Sequence, residues 1–436
     1  GNIVSFRVAA DQKEAAMMAL NAGVDLEMTA GAYEAHVEDL VNEGAIAPEV
    51  LDDAVWRILR AKFKAGLFER PYAAFDDKTA AGWMADHRRL AAEVASRCIV
   101  LLRNRGNILP LPAGGMRVAL AGPYVEARRE HMGSWCLDGR PNEVVTILDA
   151  LRKAAPGLTI ETGEQAFARA DLIVLCMGES HERNGENRST VNIHLPPDQE
   201  EFITAAARAG KPLVVVNCSG RPLSSPAAEA HASAILHAWN LGSEAGTAIA
   251  AILTGTEAPS GRLPFSIPRH VGQLPIHYNR KTPGRARVNP ASIVGYLDEQ
   301  TTPLYPFGFG LGYTTFEYGA ARLDADTMKP GGTLMARATV TNTGSRHGTA
   351  VAQLYIGDRL SAISRPDREL NGFQRLDLAP GESREVVFRI TEDLLRYYMP
   401  DGSPRIDPGE FDLWIGADSG TTNHALFRLE SGGPNQ

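Results

Sequence analysis

The chain has 436 residues, of which 44% are hydrophobic and 22% charged, and its formal net charge is -8. This composition is typical of a globular protein, and the length predicts about three domains at ~150 residues each. The charge is spread along the chain without a basic patch, which argues against nucleic-acid binding. No apolar run approaches about 18 residues, so the sequence predicts no membrane span.

Residues 1–72 have the pattern of an α/β fragment. Asp11 is a typical N-cap and predicts a helix over 11–22. Alternating apolar residues over 23–28 predict a strand, and the apolar spacing over 48–66 predicts an amphipathic helix. A (β/α)8 barrel usually needs about 200 residues or more, so this fragment cannot close a barrel by itself.

A linker rich in small and polar residues is predicted over 70–85, and strands then alternate with helices as far as residue 268. The candidate strands are 98–102, 117–121, 158–162, 171–177, 212–218 and 233–237, and the candidate helices lie near 86–97, 143–154, 197–209 and 243–254. Strands separated by helices of this length predict a mainly parallel sheet covered on both faces. No glycine-rich dinucleotide fingerprint follows any of these strands, which argues against a nucleotide-binding α/β protein.

The C-terminal part of the chain, from residue 269, has a different composition and hydrophobic pattern. Residues 269–314 are rich in Pro, Gly, Arg and Tyr and predict an ordered connector. From Thr315 onward, short alternating segments separated by turns predict a β-sandwich. The clearest strand candidates are Leu334–Asn342, Thr349–Ile356, Arg384–Ile390 and Glu410–Ile415.

The four cysteines are far apart and favour buried thiols over a disulfide framework. The eleven histidines show no metal-ligand spacing, so the sequence predicts no metal site and no cofactor. The absence of a Gly-x-Ser-x-Gly elbow argues against an α/β-hydrolase esterase.

One polar loop is the strongest candidate for chemistry. It follows the apolar segment Leu172–Met177 and carries three glutamates, Glu179, Glu182 and Glu186. Ligands of open α/β sheets bind outside the carboxyl ends of the strands, so a carboxylate here is placed to reach a substrate. A lone loop glutamate is by default a solvated side chain, and the loop by itself does not select one of the three.

The same loop and the strand after it carry a set of recognisable motifs: Gly178-Glu179-Ser180, Gly185-Glu186-Asn187-Arg188-Ser189, Leu195-Pro196, Gln199, and Gly220-Arg221-Pro222-Leu223. With them the chain resembles glycoside hydrolase family 3, in particular the bacterial three-domain β-glucosidases. Further motifs occur in family order, including Leu304–Tyr313, so the resemblance covers nearly the whole chain.

The resemblance implies a fold and a domain plan. It implies the C-terminal end of a (β/α)8 barrel at 1–72, an α/β sandwich domain at 73–268, a connector at 269–314, and a fibronectin type III-like domain at 315–436. It also implies that the aspartate nucleophile of the family lies a few residues upstream of Gly1. We therefore expect an N-terminal barrel segment of the same enzyme as a partner.

The resemblance also assigns roles to residues. Glu186 is the expected general acid/base, with Glu179 and Glu182 as alternates. Glu179 follows Gly178 at the strand end, where its alternative role is to orient the loop or to pair with Arg183 or Arg188.

Three further residues are expected to bind substrate: Arg188, and Trp135 and Ser134 of the Gly-Ser-Trp motif. Alternatively, Trp135 anchors its loop in the core, Ser134 is a turn residue, and Arg188 forms an ion pair within its loop. We expect Arg221 to pair with an acid such as Glu244, and Asp25 to be structural.

The expected activity is release of terminal, non-reducing β-linked glucose by a retaining β-glucosidase, which this chain alone does not complete. β-Xylosidase or β-galactosidase specificity stays open. A noncatalytic carbohydrate-binding or assembly subunit of the same fold is the alternative from another class. The resemblance favours a periplasmic or secreted location, while export and oligomeric state, with a homodimer among the options, stay open.

Overall fold

The computed structural model describes residues 2–73, 76–281 and 296–431. The chain divides into two compact units, Gly1–Met84 and Ala85–Gln436. The second unit is much the larger and contains the α/β sheet and the β-sandwich.

The first unit is helical in its described part, with helices α1 to α4 at Asn2–Ser5, Gln12–Asn21, Ala32–Asn42 and Pro48–Lys64. Helix α2 begins as the sequence predicts, because the Asp11 carboxylate accepts a hydrogen bond from the Glu14 amide at 2.9 Å. Asp25 is bound by the Arg57 guanidinium through two hydrogen bonds of 2.8 and 2.7 Å. These bonds lower the pKa of Asp25, and the geometry is that of a structural carboxylate.

The strand predicted over 23–28 does not form among the described residues. The segment has no regular secondary structure, and no strand of the described chain pairs with it. Met28 is 84% exposed and Leu26 74% exposed. A single strand cannot satisfy its backbone groups, so alternation without a neighbouring strand does not produce a sheet.

Helix α5, Asp77–Cys98, precedes the α/β sheet. The six strands β1 to β6 are Val100–Asn104, Gly114–Ala121, Gly157–Thr162, Leu172–Gly178, Leu213–Cys218 and Ala234–His237. They lie in the order β1-β6-β5-β4-β2-β3, and every neighbouring pair is parallel except β1 with β6. The prediction of a mainly parallel sheet is thus confirmed.

Helices cover both faces of this sheet: α6 to α9 are Ile147–Ala154, Pro197–Ala207, Pro226–His231 and Ala245–Thr254. Each face has its own apolar cluster of strand and helix side chains. Every residue of β4 and β5 is buried, as their largely apolar sequences predict, and Asn217 is the one polar residue in the two strands. Burial of each Leu, Ile or Val side chain stabilises the fold by roughly 1.5–3 kcal/mol, so these central strands form a rigid base for the loops at their ends.

The β-sandwich follows. Strands β7 to β13 are Phe316–Tyr318, Arg322–Leu323, Thr327–Met328, Thr333–Asn342, Gly348–Asp358, Glu369–Leu378 and Ser383–Thr391; a short helix α10, Glu392–Leu395, precedes β14 to β17 at Tyr397–Tyr398, Pro404–Arg405, Gly409–Gly416 and His424–Leu429. In the described residues, one sheet contains β13-β10-β7 with β8, and the facing sheet has the order β12-β11-β16-β17-β9. Their inner faces share one core, and the four clearest predicted strands are all present.

The connector over 269–314 is described except for 282–295. Its last part packs on the α/β domain: Tyr305 is buried, and the Leu311 amide bonds to the Leu101 carbonyl at 2.8 Å.

All four cysteines are free thiols. Cys176 and Cys218 are buried, whereas Cys136 is partly exposed and Cys98, at the end of α5, is exposed. In the described ranges, no helix has the length and apolarity needed to cross a bilayer, and no cluster of metal-ligating side chains occurs.

Candidate active site

The polar loop starts where β4 and β5 approach each other most closely. A Cβ atom on Gly178 would lie 1.9 Å from the Cys218 carbonyl oxygen and 2.6 Å from the Tyr124 ring, so only glycine fits there. The Gln199 amide of α7 makes both hydrogen bonds to the Gly178 backbone, at 2.9 and 2.8 Å. The end of the strand is therefore fixed from the sheet and from the helix.

Glu179, the first residue of the loop, is fully buried and ionically paired. One carboxylate oxygen lies 2.6 Å from Arg221 Nε, and the other lies 3.3 Å from Arg183 Nε. The Ser219 hydroxyl donates to the same carboxylate at 3.3 Å, and the Tyr124 hydroxyl donates to the Glu179 carbonyl. A buried carboxylate held by two arginines and a hydroxyl is a structural anchor of the loop.

Arg221 is paired with Glu179 and not with Glu244, so our expected partner for it was wrong. Glu244 is bound by Arg88 at 2.6 Å instead. Arg221 extends from the end of β5, directly beside the end of β4, because these two strands are hydrogen-bonded neighbours. Glu244 lies after β6 in sequence, and only the folded sheet decides which carboxylate is nearer.

Glu186 lies in a tight turn of the same loop. The Arg188 amide bonds to the Gly185 carbonyl at 3.3 Å, and Asn187 has a positive φ of 59°. A positive φ at the third residue is typical of a type II turn and explains an Asn at this position. Glu186 is exposed, and its carboxylate makes no hydrogen bond or ion pair to the part of the chain that the structure describes.

The second predicted loop contacts this turn. Gly185 has a φ of 107°, and a Cβ atom on it would lie 2.3 Å from Ser134 Oγ and 3.9 Å from Trp135 Nε1. Trp135 is 69% exposed, so its ring is not an anchor in the core. The structure therefore brings Glu186, Ser134 and Trp135 to one surface.

Most of the other charged side chains of the loop face solvent, whereas Asn184 is buried. Glu182 and Arg188 are exposed, and the Arg183 side chain is 49% exposed. His181 Nδ1 lies 3.6 Å from Glu130, which links the loop to the segment before Ser134. The loop-internal ion pair expected for an arginine is formed by Arg183, and none is formed by Arg188 among the described residues.

Two buried histidines lie beneath these loops. Burial lowers the pKa of His131 to about 4 and that of His237 to about 3, so both rings are neutral at neutral pH. The edge of His131 packs on Tyr124 with ring centres 5.2 Å apart. Because these rings carry no charge, the positive charge that balances Glu179 comes from its two arginines.

Sequence reasoning anticipated a pair between Glu179 and Arg183, but it missed the contacts of Glu179 with Arg221 and Ser219. The signal for these contacts was present, since polar residues follow two consecutive apolar segments at the positions where neighbouring parallel strands end. The arrangement combines a buried, paired carboxylate with an exposed, unpaired carboxylate about a turn away on one loop. Such a site has the groups for acid/base chemistry on a polar substrate.

A loop with three glutamates at the carboxyl edge of an α/β sheet, without a phosphate-binding glycine loop, lacks the features of a dinucleotide site. Residues 99–313 match the family model "Glycosyl hydrolase family 3 C-terminal domain", and residues 350–419 match "Fibronectin type III-like domain". The chain therefore belongs to glycoside hydrolase family 3.

Curated relatives support this family assignment. The chain is 36% identical to the periplasmic β-glucosidase of Salmonella typhimurium, with 98% of this chain and 62% of that protein aligned. It is 33% identical to a β-xylosidase of Formosa agariphila, with 94% of this chain and 60% of that protein aligned. The chain thus spans about three fifths of the length of these relatives.

A solved structure also matches nearly the whole length of this chain. A crystal structure of β-glucosidase from Listeria innocua in complex with gluconolactone superposes with a TM-score of 0.91 at 30% identity. The match covers 98% of this chain and 61% of that protein. The architecture of the α/β domain and the sandwich is thus that of family 3 β-glucosidases.

The contact between the two loops gives a stability prediction. Gly185→Ala should lower the free energy of unfolding by about 1–3 kcal/mol, because alanine is strained at this φ and its Cβ overlaps Ser134. Adding Ser134→Gly should recover part of the loss in urea unfolding. Gly210→Ala is the matched control, since Gly210 has a φ of 67° but no atom within 4 Å. Equal losses at both glycines, without rescue, would show that the loops do not touch.

Proposed function

We propose that this chain carries the general acid/base of a retaining β-glucosidase and that Glu186 is that residue. Support comes from the two β-glucosidases named above and from the position of Glu186 within the matched domain. The observation that carries the choice is the contrast within one loop. Glu179 is buried and bound by two arginines, whereas Glu186 is exposed and unpaired among the described residues.

The reaction is a double displacement. An aspartate on preceding barrel sequence attacks the anomeric carbon while protonated Glu186 gives its proton to the departing glycosidic oxygen. Water then attacks the glycosyl-enzyme and Glu186 takes its proton, which restores both carboxyl groups. The acid must hold a proton at working pH, and an exposed side chain gains the necessary desolvation only when sugar covers it.

Glu182 is the remaining competitor. It is exposed like Glu186, but it lies in a short 3-10 helix, His181–Arg183, where the Ser180 hydroxyl accepts from its amide at 3.3 Å. Glu186 lies in the turn whose Gly185 contacts Ser134 and Trp135, whereas the short helix of Glu182 contacts that loop further upstream, at Glu130. This favours Glu186 as the group beside a bound sugar.

Trp135 is proposed to pack on the apolar face of a sugar, because its exposed ring lies beside the Glu186 turn. Arg188 is proposed to donate hydrogen bonds to a sugar hydroxyl from the end of the same turn. Ser134 contacts Gly185 directly, so its role is to support the turn as well as to bind substrate.

Preceding barrel sequence is the proposed partner of the first unit, whose domain assignment at 1–72 follows the resemblance. The helix α4 has an exposed apolar stripe that includes Val55, Leu59 and Phe63. Apolar side chains repeated on one helix face are typical of a surface that packs on another element. A missing barrel would cover such a face.

The sugar is tested with a panel of aryl glycosides. We expect the full-length enzyme to have its highest kcat/KM on the β-glucoside and to release the β-anomer first, as seen by proton NMR. The β-xylosidase relatives make the β-xyloside the relevant rival, and the β-galactoside is the third member of the panel. A xyloside preference would change the substrate, and release of the α-anomer would reject the retaining mechanism.

A further inference from the structure

The buried anchor at the base of the loop has a geometry that bears on Glu186. Arg221 is directed by two neighbouring groups: its Nε lies 2.6 Å from the Glu179 carboxylate, and its backbone amide donates to Ser219 Oγ at 3.2 Å. The Arg221 side chain is 20% exposed, against 49% for Arg183. Arg221 is thus the more enclosed member of the two arginines that bind Glu179.

The other end of the Arg221 guanidinium binds the loop itself. Its Nη2 donates to the Arg183 carbonyl and, at 3.1 Å, to the Arg188 carbonyl. One nitrogen atom therefore joins two carbonyls five residues apart and closes the intervening backbone into a small ring. Glu186 lies inside that ring, in the turn between Gly185 and Arg188.

We propose that Arg221, oriented by Glu179, is a positioning residue that fixes the Glu186 turn. This inference rests on the proposed function, because it concerns the placement of the acid/base. Arg221 does not touch the reacting atoms. It restricts the backbone on both sides of Glu186, so the carboxyl group reaches the leaving oxygen without an entropy cost for ordering the loop.

The planar fork of arginine is required for this double contact. The guanidinium places Nε in an ion pair with the carboxylate while Nη2 donates to the two carbonyls. A lysine offers one compact ammonium group, which can keep the charge beside Glu179 but cannot span both sets of acceptors. Arg221→Lys thus separates charge balance from loop closure, and Arg221→Met removes both.

The test uses the full-length enzyme and two aryl β-glucosides. A phenyl glucoside needs a proton on its leaving oxygen, whereas a 2,4-dinitrophenyl glucoside does not. We expect Arg221→Met and Arg221→Lys to lower kcat/KM for the phenyl glucoside about 100-fold, since misplacement of a catalytic group by about 1 Å costs that much. The value for the dinitrophenyl glucoside should change less than about fivefold, because C–O cleavage there needs no acid.

Hydrogen exchange supplies the readout that does not depend on activity. In both variants, amides over 183–188 should exchange faster, while those of β4 and β5 should not change. Arg88→Met is the matched control, since Arg88 forms an ion pair of the same length with Glu244 in the same domain. It should alter neither the leaving-group dependence nor exchange over 183–188.

Every outcome decides the proposal. Equal losses on both glucosides, or unchanged exchange over 183–188, would overturn it. If Arg221→Met does not fold, Arg221→Lys carries the test, and if neither folds, the pair stabilises the whole domain and a loop-specific role is rejected. If Glu186→Gln lacks the leaving-group dependence, the proposed function itself fails, and the exchange data still show whether Arg221 fixes the loop.

Discussion

Replacing Glu186 by alanine in the full-length enzyme is expected to lower kcat/KM for phenyl β-glucoside by about 10³-fold, within the usual contribution of a general acid or base. The 2,4-dinitrophenyl glucoside should still form the glycosyl-enzyme rapidly, because its leaving group departs without a proton. Hydrolysis of that intermediate should then limit the rate, since no base remains to activate water. Azide should restore turnover and yield β-glucosyl azide, because the anion attacks without a base.

The other loop carboxylates are the controls for this result. Glu182→Ala should retain near-normal kinetics on both substrates and show no response to azide. Glu179→Gln should lower stability, because it leaves Arg221 and Arg183 without a buried counter-charge. If azide rescue appears for Glu182→Ala or Glu179→Gln and is absent for Glu186→Ala, the acid/base has been assigned to the wrong residue.

The second large effect concerns the chain by itself. The 436 residues alone should hydrolyse aryl β-glucosides at least about 10⁴-fold more slowly than the enzyme with its preceding barrel, because loss of a nucleophile removes the covalent step. A 2-deoxy-2-fluoroglucosyl fluoride should add no sugar mass to this chain. When the barrel polypeptide is supplied, the label should appear on that polypeptide.

Two results would contradict the proposal that the nucleophile lies on the barrel polypeptide and the acid/base on this chain. Rapid turnover by the isolated chain, or a fluorosugar label within it, would show that it contains its own nucleophile. Tight binding of glucose or cellobiose by the isolated chain, with no gain in activity on adding the barrel, would favour the noncatalytic binding subunit. Calorimetric titration of the chain with both sugars distinguishes that case from simple incompleteness.

The predicted strands of the α/β domain agree with the structure to within about three residues at each end. Their signal is strong because strands buried on both faces of a parallel sheet are nearly continuous apolar runs, such as Leu172–Gly178. In the sandwich, alternation in Thr333–Asn342 matches burial on one face only. Weaker alternation in β12, Glu369–Leu378, was not recognised, since only its last part is deeply buried.

Strand formation and ion pairing also depend on which residues a segment contacts in the folded protein. Alternation over 23–28 has the period of a strand, yet strand formation requires a hydrogen-bonding neighbour that the described residues do not provide. Arg221 was expected to bind an acid, and it does, but the acid is Glu179. A local pattern carries no information on which distant residue will be the nearest partner.

The sequence by itself determined the order of strands and helices, the all-β texture after Thr315, and the polar loop that carries Glu186. These follow from hydrophobic periodicity and turn chemistry, which act over a few residues. Only the tertiary structure distinguished Glu179 from Glu182 and Glu186, because burial and charge pairing depend on residues that are 40 positions apart, Glu179 and Ser219, meeting at one edge of the sheet. Glu179 became an anchor and Glu186 stayed exposed for that reason, although the two residues belong to the same short loop.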